Sequence, residues 1–295
     1  MIQSYVWKKH WFYDKNHVTE KNICVNTIVF QKIIVQNCGY YFTDFKKGLL
    51  LPNQTEFRPM IYHDILSAKK SGRKLLAVLL DPDKIAMDSI ALLTEKINAS
   101  PATHIFVGGS IVEADIIDEL IIALKQKTTL PVLLFPGNPS QISKEADGIL
   151  FLTLLSGRNP DYLIEHQVNA VPVLKKTSLE VISTGYILIE SGTQTAVERV
   201  SKTEPLARNN AEYVLQTAQA GEYIGNKLIY LEAGSGAQWA VPLEMIAKVS
   251  ANTEVPVIVG GGIRSKKAIE EAYAAGADLV VIGTAFENDH NFFNS

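Results

Sequence analysis

Cysteine is nearly absent. Only Cys24 and Cys38 occur in 295 residues. Two cysteines make no disulfide framework, and no metal-ligand spacing surrounds them. The expectation is a reduced, cytosolic protein. Excess positive charge is also missing: 28 Lys and Arg stand against 31 Asp and Glu, a net charge of -3. That argues against nucleic acid as the main partner, since phosphate backbones select basic surfaces. No apolar run reaches the ~20 residues of a membrane span. Residues 1–10 lack the basic start and apolar follow-on of a secretory signal. The six histidines are scattered at His10, His17, His63, His104, His166 and His290. No His-x-His, Cys-x-x-Cys or Ser-His-Asp arrangement emerges, which disfavours zinc hydrolysis and serine acyl transfer.

Apolar residues, by contrast, are plentiful at 47%. They are not evenly distributed. Residues 1–59 hold 11 of the 25 aromatics and both cysteines, and carry 8 Lys and Arg against 4 Asp and Glu. The remainder carries 20 against 27, so the two parts differ in sign. Residues 25–35 suggest a strand or two, but no glycine-punctuated rhythm follows. Two readings of this segment stand. It is an accessory arm, basic and aromatic enough to touch a membrane surface, or it lies outside the working protein, whose translation then starts at Met60. The second is the expectation here, and residues 60–295 are read as the functional domain.

From residue 74 the pattern becomes regular. Strands are expected at 75–80, 104–107, 132–135, 148–154, 181–190, 228–232, 257–259 and 279–282. Most are short, rich in Val, Ile and Leu, and apolar on both faces, as strands buried in a parallel sheet are. Helices are expected at 61–70, 88–97, 112–125, 161–168, 205–220, 242–249 and 266–275. Pro205 and Pro242 suit first-turn positions, and Gly276 suits a C-terminal cap. The expected fold is an α/β protein, a (β/α)8 TIM barrel. An open doubly wound sheet is the alternative. One unit departs from the rhythm. Residues 136–147 include two prolines and leave no room for a crossover helix, so a gap in the helical ring is predicted after the third strand.

In such barrels the working residues stand at the C-terminal ends of the strands. Three of those ends carry glycine: Tyr230-Leu-Glu-Ala-Gly-Ser-Gly236, Gly260-Gly-Gly-Ile-Arg-Ser265 and Gly283-Thr284. Glycine lets backbone N–H groups approach an anion without a side chain in the way. The three together predict one phosphate held across the ends of strands six to eight. Arg264 either adds charge there or decorates the next helix. Tyr230 and Glu232 alternate along strand six and so face the same side. A carboxylate beside a phosphate cradle repels the anion and needs another task. Glu232 orients a substrate hydroxyl or takes its proton, or it pairs with a lysine inside the barrel. At the end of strand one, Asp81 is a candidate hard-cation ligand with Ser110 as a hydroxyl partner. The plain alternative is that Asp81 caps the next helix and Gly108-Gly109 turn the chain. Asp83 and Lys84 read as a solvated loop pair, and Lys175 with Lys176 as a surface turn.

These motifs, with Pro136-Gly-Asn138 and Ser183-Thr-Gly-Tyr186, resemble those of the geranylgeranylglyceryl phosphate synthases, in the branch shared by many archaea and Bacteroidetes-type bacteria. The resemblance runs from about residue 60 to the end, and the strand-six motif is its most specific part. It implies a barrel without a regular third helix. It implies prenyl transfer from a prenyl (geranylgeranyl) diphosphate to the 3-hydroxyl of sn-glycerol 1-phosphate. It implies Mg2+ at Asp81 and Ser110. It implies sn-glycerol 1-phosphate held by Tyr230, Leu231, Glu232, Ala233, Gly234, Ser235 and Gly236, by Gly261 and Gly262, and by Gly283 and Thr284. Catalysis would rest on Glu232 and Tyr230. The related heptaprenylglyceryl phosphate synthases have a lysine two residues before the metal aspartate, where this chain has Leu79. The resemblance also implies a homo-oligomer, a dimer or hexamer. The prenyl tail needs a groove, which the missing helix offers, with Phe135 and Tyr186 as lining or as plain core. A different phosphate-binding barrel enzyme, such as a sugar-phosphate isomerase or cyclase, would share the cradle but need no such groove.

Overall fold

A computed structural model of the chain describes residues 60–109, 114–289 and 292–293. Both readings of residues 1–59 lie outside the described residues, as does Ser110. Eight parallel strands close into a barrel in sequence order: β1 (Leu75–Leu80), β2 (His104–Val107), β3 (Val132–Leu134), β4 (Gly148–Leu154), β5 (Glu180–Leu188), β6 (Leu228–Glu232), β7 (Val257–Gly260) and β8 (Leu279–Ile282). β8 pairs back onto β1, with Ala77 opposite Val281. The open doubly wound sheet is thereby excluded.

Alternation along each strand sorts the side chains into two cores. Leu76, Val78 and Leu80 face outward with Ile105, Val107 and Leu231, against the helices. Leu75, Ala77, Phe106, Leu133, Ile182, Leu228, Tyr230 and Ile258 fill the barrel interior. This is why the strands read as continuous apolar runs. Each fully buried Leu, Ile or Val contributes about 1.5–3 kcal/mol.

The helices are α1 (Ile61–Ser71), α2 (Ile90–Asn98), α3 (Ala114–Lys125), α4 (His166–Leu174), α5 (Ala196–Ser201), α6 (Ala211–Tyr223), α7 (Leu243–Ala251), α8 (Lys266–Ala274) and α9 (Thr284–Asn288). Helix α1 packs Ile61, Ile65 and Ala68 into the interior core and so closes the N-terminal end of the barrel. The Glu180 carboxylate at the start of β5 accepts from the first two helical N–H groups, Ile61 at 2.5 Å and Tyr62 at 3.0 Å. Those are donors a helix start leaves without partners. Gly276 lies just past α8 with φ +108°, as expected of a cap.

Three expectations need correction. The helix expected at 205–220 starts at Ala211, where the Asn210 side chain accepts from Tyr213 N at 3.1 Å. Pro205 lies before it, next to Leu206, which pairs with Ile189 as an extension of the sheet. Pro242 is the residue before the first helical turn of α7, one position early. The helix expected to end at 168 continues through Pro172 to Leu174, after a wide π turn over Asp161–Glu165. Pro172 costs one hydrogen bond, but it stands on the exposed face.

The gap after β3 is present. Between β3 and β4 there is only the single 3₁₀ turn Pro139–Gln141, started by Asn138. β3 pairs with β4 at two positions, whereas β4 pairs with β5 at seven. β4 therefore outruns its neighbour, and Phe151, Leu152 and Thr153 are only half-buried. The Gln167 side-chain amide donates to the Leu152 carbonyl on this stretch.

Candidate functional site

One cavity of about 480 Å³ opens at the C-terminal ends of the strands. Its polar half is bordered by Asp81, Lys84, Tyr230, Glu232, Gly234, Ser235, Gly236, Gly261, Gly262, Arg264, Gly283 and Thr284. All three glycine segments thus meet at one place. Leu231 and Ala233, expected as binding residues, turn their side chains into the outer core, and the Ala233 N–H is already donated to Gly260 O at 3.0 Å. Neither residue lines the cavity.

Glu232 is 5% exposed, and Oε1 accepts from Gly234 N at 2.6 Å. Burial raises its pKa from 4.5 to about 7, partly opposed by the Gly234 N–H and by Tyr230. No lysine pairs with it among the described residues. Tyr230 is fully buried; its hydroxyl meets no group at full hydrogen-bond geometry among the described residues, and the polar group it interacts with is the Glu232 carboxylate. Burial, and then the nearby Glu232 carboxylate, push that hydroxyl well above its usual range. A buried hydroxyl without a well-formed hydrogen bond costs free energy. Here it borders a cavity, where a ligand hydroxyl can satisfy it.

The glycines leave room for these groups. A Cβ on Gly260 would stand 2.4 Å from Tyr230 Oη and 2.9 Å from Glu232 Oε2. A Cβ on Gly261 would stand 2.3 Å from Glu232 Oε1, and Gly261 and Gly262 have φ of +79° and +69°. The triple glycine is a seat for the Glu232 carboxylate. Arg264 spans the cradle, donating to the carbonyls of Ala237 at 2.5 Å and Gln238 at 3.4 Å.

Across the cavity mouth, Asp81 takes the capping role read for it. It caps the turn Pro82–Lys84, with Oδ1 accepting from Asp83 N at 3.3 Å. Its other oxygen, Oδ2, is 3.1 Å from Lys84 Nζ. Asp83 and Lys84 are both exposed, as expected of a solvated loop pair, but the ion-pair partner of Lys84 is Asp81 and its side chain borders the cavity. Among the described residues, no three His, Cys, Asp or Glu side chains gather around a metal-sized space.

The apolar half runs toward the missing helix, past Phe135, Ile142, Leu150, Leu152, Leu154, Tyr162, Ala170, Tyr186, Val197 and Val200. At the junction stands an aromatic cluster. Phe135 lies 5.4 Å from Tyr230 and 6.0 Å from Tyr186 between ring centres, and Tyr186 lies 5.4 Å from Tyr230. Helix α5, absent from the sequence expectations, forms one groove wall. Its start is a capping box, with Glu198 N donating to Thr195 Oγ1 at 3.2 Å and Thr195 N to Glu198 Oε1 at 2.7 Å. The Thr-x-x-Glu spacing was the available signal. Asn159 and Tyr162 fasten its end through the carbonyls of Ser201 and Val200. Gln141, 1% exposed, holds Gly137 N and Gly109 O together. No sequence spacing announced that clamp.

Residues 68–294 match the model of the PcrB family. A geranylgeranylglyceryl phosphate synthase of Flavobacterium johnsoniae is 70% identical over 235 residues, 80% of this chain and 97% of the relative. One from Zunongwangia profunda is 51% identical over 230 residues, 78% of this chain and 98% of the relative. Among solved structures, the (S)-3-O-geranylgeranylglyceryl phosphate synthase of Thermoplasma acidophilum, in complex with its substrate sn-glycerol-1-phosphate, superposes with a TM-score of 0.76 at 35% identity. It covers 80% of this chain and 95% of that one.

Proposed function

This chain belongs to the PcrB family, and on that premise we propose that its cleft forms the ether bond of geranylgeranylglyceryl phosphate. The donor is a prenyl diphosphate and the acceptor the 3-hydroxyl of sn-glycerol 1-phosphate. The C1–O bond of the donor breaks, diphosphate leaves, and the acceptor oxygen bonds to C1 while giving up its proton. The observation that carries this reading is the buried Tyr230 hydroxyl beside the buried Glu232 carboxylate, in a cavity that continues into an apolar groove. A sugar-phosphate isomerase needs the first feature but has no use for the second.

In this assignment, the glycine segments at Gly234 to Gly236, Gly261 to Gly262 and Gly283 to Thr284 hold the acceptor phosphate with backbone donors. Tyr230 and Glu232 take the glycerol hydroxyls. A carboxylate with a pKa near 7 is suited to accept the departing proton at neutral pH. Holding the acceptor against C1 lowers the barrier by proximity. Positive charge developing at the allylic carbon would meet the faces of Phe135, Tyr186 and Tyr230. The tail lies in the groove left by the absent helix.

Asp81 is assigned to Mg2+, with Ser110 as the second protein ligand on the strength of the resemblance. The donor set fits: Mg2+ is commonly held by one or two carboxylates, with waters and substrate phosphates completing the shell. When bound, the ion offsets the charge that builds on the departing diphosphate. The test is product mass after incubating the purified protein with sn-glycerol 1-phosphate, Mg2+ and prenyl diphosphates from farnesyl to heptaprenyl. An ether product is expected, with geranylgeranyl as a competent donor. No product from any donor would reject the assignment.

A further inference from the structure

A lysine already sits against one oxygen of the Asp81 carboxylate. Lys84 Nζ lies 3.1 Å from Asp81 Oδ2, across a single turn that Asp81 itself caps. The turn fixes their spacing, because Lys84 N also donates to Asp81 O at 3.0 Å. Both side chains border the cavity. An ammonium and a divalent ion compete for the same carboxylate lone pairs. The Lys84 side chain is 49% exposed, so its head can leave without breaking into the core. The other cations at the cavity stand elsewhere. Arg264 spans the β6 loop carbonyls on the acceptor side, and Arg199 belongs to α5 on the groove wall.

We propose that Lys84 is an exchangeable counterion: it neutralises Asp81 in the empty enzyme, yields that carboxylate to the divalent cation, and then binds the donor's diphosphate. The inference rests on the assignment of Asp81 as a metal ligand. Its consequence is coupled loading. The free protein binds the cation poorly because it must first displace Lys84. Diphosphate repays that displacement by giving the ammonium a new anion. Lys84 is thus a positioning residue for the metal and a direct contact for the donor.

The test uses the full chain and its Lys84→Met, Lys84→Arg and Asp81→Asn variants. Mn2+ binding is followed by electron paramagnetic resonance, with and without inorganic diphosphate. A half-exposed ion pair of this kind is worth little, so Lys84→Met should bind Mn2+ alone only about two- to fivefold more tightly. Its diphosphate affinity in the presence of Mn2+ should fall about tenfold, as loss of a charge-assisted contact implies. Lys84→Arg should restore diphosphate binding. KM for the prenyl donor should rise in Lys84→Met while KM for sn-glycerol 1-phosphate stays constant. Unchanged or weaker Mn2+ binding in Lys84→Met overturns the proposal, and so does unchanged diphosphate affinity. Asp81→Asn separates the layers. If it abolishes Mn2+ binding while Lys84→Met is silent, the exchange idea alone fails. If Asp81→Asn binds Mn2+ normally, the metal assignment fails and takes the exchange with it.

Discussion

Glu232 carries the clearest pH signature at the residue scale. Its folded pKa of about 7 exceeds the ordinary 4.5 because burial disfavours the charge. The folded chain therefore holds this proton more tightly than the unfolded chain does. The associated stability is complete below pH 4.5 and is lost as pH rises through about 7. Glu232→Gln removes the loss, since an amide oxygen still accepts from Gly234 N. The variant should unfold at higher denaturant than the parent at pH 8, by about 1–3 kcal/mol, with no such gain at pH 4. Activity should move the other way. kcat/KM for the acceptor should rise with one ionisation near pH 7, and Glu232→Gln should lose both the rise and most of the turnover. Gly261 supplies a companion prediction. Ala there meets Glu232 Oε1 at 2.3 Å and adopts φ +79°. Gly261→Ala should cost about 1–3 kcal/mol in thermal unfolding and raise KM for sn-glycerol 1-phosphate more than KM for the donor.

Two features shape the apolar groove at the element scale. One is the absence of a helix after β3, which leaves Phe151 and Leu152 of β4 half-buried at the groove. The other is α5, six residues long and too short to persist alone. Its capping box and the fastening by Asn159 and Tyr162 hold it in place. Thr195→Ala should destabilise α5 by about 1 kcal/mol, seen as faster amide exchange over residues 196–201 and a higher KM for the prenyl donor. Thr195→Ser keeps the cap oxygen and should behave like the parent. Ala170 faces the groove from α4. Ala170→Phe should fill that space and shift product masses toward shorter donors, at a packing cost of about 1–3 kcal/mol.

All eight strands of the closed barrel lie within residues 75–282. Met60 precedes the first turn of α1, whose leading N–H groups are taken by Glu180. We propose that residues 60–295 suffice for activity. A protein starting at Met60 should keep near-parental kcat/KM and thermal stability, and a large loss of either would give residues 1–59 a role in the enzyme. Peptides from 1–59 in native material, sought by mass spectrometry, decide whether the segment is made at all.

Much of this molecule is local and therefore legible. Five of the eight strands have the bounds expected from their apolar runs, because strands buried on both faces must be apolar throughout and glycine or polar residues must end them. The two prolines after Phe135 left no helix to form. Tyr230, Glu232 and the glycine segments stood out because few uses need such residues at strand ends. What the order of residues left open was anything set by contacts across the fold. The pKa of Glu232 depended on the depth of its burial. Helix α5 depended on anchors 38 and 42 residues away in the chain. Periodicity and turn chemistry act over a few residues and determined the barrel. Desolvation and long-range packing act only once the chain has closed, and they decided which of its carboxylates are poised for chemistry.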